Sequence, residues 1–203
     1  EKILKRTVLI ENDANCFAMS EAFDGAGCKA NTVFGVILGT GVGAGIVIGK
    51  KIHVGKNKIA GEWGHNPLPW AHEGELPGKK CYCGRTGCLE TFISGPAIER
   101  EFKDLHGRNL NMKNIVRESG AGNLKAEQVI KNLEDRLARA LAHAINILDP
   151  DSIVLGGGLS NIDRLYSNVP KIWAEYIFSD DVSTVLSKAR FGDSSGVRGA
   201  AWL

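Results

Sequence analysis

Three of the five cysteines in this 203-residue chain, Cys81, Cys83 and Cys88, fall within eight consecutive positions. They lie inside a stretch, residues 61–95, that is rich in Gly, Pro, His and Cys and shows neither a helical nor a strand period. A structureless segment of that length is uncommon inside a compact domain and is usually functional or stapled. The pattern Cys81-x-Cys83-Gly84-x-x-Gly87-Cys88, with His65 upstream, supplies a candidate staple. Three thiolates and one imidazole form a closed tetrahedral set that suits Zn²⁺ and leaves no open position for a catalytic water, so the zinc is expected to be structural. Gly84 and Gly87 permit the tight turn that brings sulfurs so near in sequence onto one ion. His72 is the alternative fourth ligand, and reduced, unliganded thiols are the alternative to any metal. Crowding of this kind also argues against a secreted disulfide framework, which spreads an even number of cysteines over a short chain. Cys16 and Cys28 stand apart and read as small buried or half-buried thiols.

Regular structure is legible on both sides of the loop. Residues 7–10 read as a short strand, and Glu11-Asn12-Asp13 leads into a helix over residues 14–26 that carries Ala14, Phe17, Ala18, Ala22 and Phe23 at helical spacing. Residues 33–38 and 45–48 are β-branched runs, with residues 51–54 as a further strand. After the loop come a helix over residues 96–105 opened by Pro96, and a long one over 126–148 with Val129, Ile130, Leu133, Leu137, Leu141, Ile145 and Leu148 on one face. A buried strand over residues 152–155 runs into Gly156-Gly157-Gly158, and a helix over residues 163–178 follows. The class is α/β. With 43% hydrophobic and 24% charged residues the chain can bury one substantial core. A net charge of +2 without a basic run gives no footprint for nucleic acid. The longest apolar runs fall far short of the roughly 20 residues a membrane helix needs, and no signal-peptide pattern opens the chain. A cytoplasmic protein with neither nucleic-acid nor membrane partner is expected.

Several motifs carry chemistry. Gly39-Thr40-Gly41-Val42-Gly43-Ala44-Gly45 separates two strands. Glycines at alternate positions let a backbone approach a phosphate and aim its N–H groups at the oxygens, although a glycine-rich turn also serves as plain structure. Gly156-Gly157-Gly158 between strand and helix either seats a nucleotide or packs a helix tightly on a sheet. Asn12-Asp13 is either a helix cap or, at the end of a strand, a ligand-facing pair, and Asp13 is then the candidate base for phosphoryl transfer to an alcohol. Glu62 and Glu90 flank the cysteines in sequence, so a bound metal would draw both carboxylates to one place, where charge-assisted hydrogen bonds suit sugar hydroxyls.

Together, Asn12-Asp13-Ala14-Asn15, the segment from Leu38 through Gly45, Glu62-Trp63-Gly64-His65 and Cys81-Tyr82-Cys83-Gly84-Arg85-Thr86-Gly87-Cys88-Leu89-Glu90 resemble the ROK family of repressors and sugar kinases. Residues 61–70 and 192–202 are similar to bacterial fructokinases of that family, with N-acetylglucosamine kinases next. The resemblance implies an actin-like ATPase (ribonuclease H-like) fold, a mixed sheet flanked by helices, and a zinc-stapled loop at about residues 61–95. It implies ATP and Mg²⁺ in a cleft and a hexose at its base, with Asp13 as general base. Asn12, Glu62, His65 and Glu90 would hold sugar hydroxyls. Gly39, Thr40, Gly41, Val42, Gly43, Ala44, Gly45 and Ile46 would hold ATP phosphates, and Gly156, Gly157 and Gly158 would lie near the adenosine. Structural zinc would sit on His65, Cys81, Cys83 and Cys88, with His65 offering one ring nitrogen to zinc and the other to the sugar.

The expected reaction is phosphorylation of a hexose, fructose first, at carbon 6. Family kinases open with a strand and an Asp-x-Gly-x-Thr phosphate loop that this chain does not contain, so residues 1–203 read as the C-terminal portion of such a kinase, without the N-terminal phosphate-binding lobe and inactive alone. Family kinases are often dimers, and a homodimer is the partner expectation beside the small-molecule sugar. The rivals are a sugar-sensing repressor, which needs no ATP turn, and a zinc-stapled carbohydrate-binding module without catalysis.

Overall fold

The computed structural model describes residue 3 and residues 5–203. Its centre is a five-stranded mixed sheet of order β3-β2-β1-β4-β5, formed by β1 (Thr32–Leu38), β2 (Val42–Ile48), β3 (Lys51–Ile52), β4 (Ser152–Gly156) and β5 (Val185–Lys188). β1, β2 and β3 pair antiparallel, while β1–β4 and β4–β5 pair parallel. Both faces are covered by helices, as a sheet with parallel central strands requires.

Alternation along the strands sorts the core into two layers. Phe34, Val36 and Leu38 of β1, with Ile153 and Leu155 of β4, point to the larger core. That core holds α2 (Glu90–Ile93), α3 (Gly95–His106), α4 (Met112–Gly120), the long α5 (Leu124–Leu148) and α6 (Leu165–Trp173). Val33, Val47 and Val154 point to the other face, onto α1 (Asp13–Phe23). Residues 14–22 of α1 are all buried, between the sheet and α7 (Ser195–Ala200). Helix and sheet come this close because of glycine. A Cβ on Gly45 would fall 2.5 Å from the Ala14 carbonyl oxygen, and one on Gly35 would fall 2.7 Å from the Ala18 Cβ. On the far side of α1, a Cβ on Gly199 would lie 1.6 Å from the Cys16 carbonyl oxygen.

Local sequence explains most of the boundaries. Ser94 caps α3 by accepting from the Ala97 N–H, Pro96 occupies its first turn, and Gly107 ends it with φ of 70°. Two expectations from the sequence need correction. Residues 7–10 carry no strand: Leu9 and Ile10 are 62% and 91% exposed, and the run lies outside the sheet. β-branched composition favours a strand only where a neighbouring edge accepts its hydrogen bonds. The helix expected over residues 163–178 stops at Trp173, because Asn146 of α5 captures the chain beyond it. Its amide donates to the Tyr176 carbonyl, and its oxygen accepts from the Phe178 N–H. Among the described residues, no helix is long and apolar enough to cross a membrane.

Candidate functional site

The carboxyl ends of β1 and β4 lie side by side, and the glycine motifs meet there. Most of the glycine-rich run is strand. The turn itself is Gly39-Thr40-Gly41, closed by Gly39 N–H donating to the Gly41 carbonyl at 3.0 Å. Val42 and Ala44 N–H groups are already committed, to Glu90 Oε2 at 2.9 Å and to the Gly61 carbonyl at 3.2 Å. Gly43, Ala44, Gly45 and Ile46 lie in β2, where Gly45 serves the close approach of α1 while Ala44 and Ile46 join the larger core. The second motif divides likewise. Gly156 faces the Phe17 ring, Gly157 (φ 80°) lies against the Leu38 carbonyl, and only Gly158 faces open space.

Asn12 and Asp13 open α1 beside this turn. The Ala14 N–H donates to Asn12 Oδ1 and Asp13 Oδ1, both at 2.8 Å, so Asn12 is an N-cap whatever else it does. Asn12, Asp13, Gly39, Thr40, Gly41, Glu62 and His65 line one hollow of about 350 Å³. Clustering at strand ends and a helix N-terminus is the arrangement α/β folds use for anionic ligands.

Residues 61–95 are irregular, with one 3₁₀ turn (Glu62–His65) and the short α2. Isolated bridges Pro67↔Cys88 and Lys80↔Thr86 pin the cysteine hairpin. One ligand atom from each of His65, Cys81, Cys83 and Cys88 lies within 4.8 Å of all the others. Cys83 and Cys88 sulfurs are 3.6 Å apart, and Cys81 Sγ is 3.5 Å from His65 Nδ1. A tetrahedron of zinc–sulfur bonds near 2.3 Å has edges of about 3.8 Å, so the donor set fits Zn²⁺. Burial pushes the Cys88 thiol up to about 12, helped by hydrogen bonds from the neighbouring cysteines. A cation is what would keep such a sulfur ionised. His72 is not part of the cluster: its Nε2 sits 3.4 Å from Asp135 Oδ2 on α5.

His65 turns Nδ1 to the sulfurs and Nε2 away from them, 2.9 Å from the Tyr82 hydroxyl. Glu90 stands slightly apart. Its Oε2 holds the Val42 N–H, and it borders a smaller hollow on the other side of Thr40 and Tyr82.

Two features lie outside the expectations drawn from the sequence. Tyr82 lines the hollow of Asp13, Glu62 and His65, and its place between Cys81 and Cys83 was the available signal. The other is an ion network under the loop. The Arg139 side chain, 0% exposed on α5, donates to Glu75, to Asp135 and to the carbonyls of Pro69 and Trp70. Arg136 donates to Glu75 and Glu101. Burial alone would raise the Glu75 carboxyl, but the two guanidinium groups outweigh it and hold the group below its ordinary value.

The profile of the ROK family matches residues 1–203. N-acetyl-D-glucosamine kinase of Vibrio vulnificus (strain YJ016) is 40% identical over 207 residues, which cover 100% of this chain and 68% of that protein. A ROK hexokinase structure from Thermus thermophilus superposes with a TM-score of 0.89 at 31% identity, covering 100% of this chain and 66% of that one. A ROK family glucokinase from Streptomyces griseus in complex with glucose and AMPPNP gives 0.84 at 28%, covering 99% and 69%. The chain thus spans about two thirds of these relatives, and the named sugar of the curated relative is N-acetylglucosamine where the sequence alone pointed first to fructose.

Proposed function

The chain belongs to the ROK family, and on that premise we propose that it serves ATP-dependent phosphorylation of N-acetyl-D-glucosamine. The observation that carries this reading is the shared hollow. A carboxylate at a helix N-terminus (Asp13), a second carboxylate (Glu62), an imidazole oriented from behind (His65) and an open glycine turn face one space of about 350 Å³. A phosphoryl transfer to an alcohol requires a proton acceptor, polyol-binding groups and a phosphate cradle, and each has a resident here.

Asn12, Glu62 and His65 Nε2 hold sugar hydroxyls, and Glu90 completes the set from across Tyr82. Asp13 accepts the proton of the attacking hydroxyl, which is on carbon 6. Thr40 and its flanking glycines receive the phosphates, and Gly158 lies toward the adenosine. Bound ATP with Mg²⁺ supplies the transferred phosphoryl group and offsets its charge. His65, Cys81, Cys83 and Cys88 would hold a structural Zn²⁺, and such an ion would fix the tautomer and direction of the His65 ring. Fructose is the second reading, favoured by the likeness of residues 61–70 and 192–202 to fructokinases.

A coupled ADP-release assay on the full-length protein, with ATP, Mg²⁺ and a panel of N-acetyl-D-glucosamine, fructose, glucose and mannose, tests the proposal. The highest kcat/KM with N-acetyl-D-glucosamine supports it. Sugar binding without turnover on any member of the panel would instead favour a sugar-sensing regulator or a non-catalytic binding module.

A further inference from the structure

Tyr82 sits within a hydrogen-bonded turn and presents its side chain to the surface. Cys81 N–H donates to the Arg85 carbonyl at 2.7 Å and Gly84 N–H to the Cys81 carbonyl at 3.0 Å, and Tyr82 lies between them in sequence. Its residue is nevertheless 82% exposed. The ring meets His65 edge-on, with centroids 5.0 Å apart and planes at 86°, and its hydroxyl lies 2.9 Å from Nε2. Nε2 is the ring nitrogen that faces away from the sulfurs. A phenol and a sugar hydroxyl offer an imidazole the same donor and acceptor chemistry. Tyr82 also borders both hollows, the one with Asp13, Glu62 and His65 and the one with Glu90.

We propose that Tyr82 acts as a resident competitor that sets sugar affinity: its hydroxyl occupies His65 Nε2 and is displaced by one hydroxyl of the bound sugar, which joins the two hollows around the ligand. The inference rests on the sugar-binding reading of this hollow. A sugar that lacks the displacing hydroxyl leaves the Tyr82–His65 hydrogen bond in place, so the competitor lowers affinity only for sugars that use His65 Nε2. Rotation of an exposed ring about its staggered wells asks no backbone movement of the anchored loop.

The test compares wild-type protein and Tyr82→Phe by calorimetric titration with N-acetyl-D-glucosamine and fructose, with zinc content measured in both. Removing the phenol oxygen removes the competitor, and a net hydrogen bond of ordinary strength corresponds to a Kd lower by about two- to tenfold in the variant. The gain should vanish with the monodeoxy analogue that lacks the displacing hydroxyl. Structural damage cannot produce tighter binding, so that result separates displacement from a merely structural role. An equal or weaker Kd in Tyr82→Phe, with wild-type binding intact, overturns the competitor and leaves the sugar site standing. No binding of either sugar by the wild-type protein overturns both.

Discussion

The Arg139 guanidinium on α5 lies 3.0 and 2.9 Å from the two carboxylate oxygens of Glu75, a residue 64 positions earlier in the irregular loop. One hydrogen-bonded fork therefore fastens the cysteine-bearing segment to the longest helix of the fold. Removing one member of a buried pair strands the other's charge, which typically costs about 3–5 kcal/mol. Arg139→Met is expected to lower stability by an amount of that order and to free the backbone near Pro69 and Trp70. Urea unfolding, with hydrogen exchange of residues 69–76, checks it. An unchanged midpoint would show that the metal set holds the loop unaided.

The zinc set gives a second expectation. Chelation, or Cys88→Ser, should remove about one equivalent of metal and destabilise the protein by several kcal/mol, because metal-binding energy at such a site is folding energy. Metal analysis and Tm before and after chelation decide the point. A protein that melts identically with and without chelator would exclude a structural ion.

Asp13→Ala is expected to lower kcat by about 10²- to 10⁴-fold while leaving sugar affinity near wild type. ADP release and calorimetric titration read the two effects separately. Equal loss in both would assign Asp13 to binding rather than to proton transfer.

A pH dependence follows from a second ion cluster. Hydrogen bonds from Arg164, then from the Ser119 hydroxyl, hold the Glu127 carboxyl at about 2, and Arg164 also spans to Glu134. The folded value lies below the unfolded one, so the stabilisation is complete above the ordinary glutamate range of about 4.3 and is lost as pH falls toward about 2. Glu127→Gln should therefore be less stable than wild type near neutrality and lose less on acidification. Denaturant midpoints at about pH 6 and about pH 3 test the crossover in slope.

Close packing at glycine supplies the last expectation. With the Cys16 carbonyl 1.6 Å from any added Cβ, Gly199→Ala should force α7 off α1 and cost roughly 1–3 kcal/mol or more. Thermal melting measures it, and a neutral result would mean that α7 docks without contributing to stability.

Local pattern made much of this legible. Helical spacing from Val129 to Leu148 gave α5 nearly to its ends, and β-branched runs gave β1 and part of β2. The cysteine spacing anticipated the sulfur cluster, and the choice between His65 and His72 fell to geometry. What stayed hidden is non-local. Arg139 reads in sequence as an ordinary helix-surface arginine, since its partner is 64 residues away. The short α4 and β5, whose packing partners lie on distant segments, were not anticipated either. Residues 7–10 failed for the complementary reason: composition can propose a strand, but only a neighbour can make one.

Glu90 follows Cys88 by two residues and keeps the first N–H of β2, so the sulfur hairpin and the glycine turn are geared to each other through one carboxylate. Whatever shifts the hairpin, whether metal depletion or oxidation of the exposed Cys83, pulls on the backbone that would grip a phosphate. A nucleotide held at this turn would in that sense be hostage to the metal set, although no ligand atom of the ion need ever touch the nucleotide.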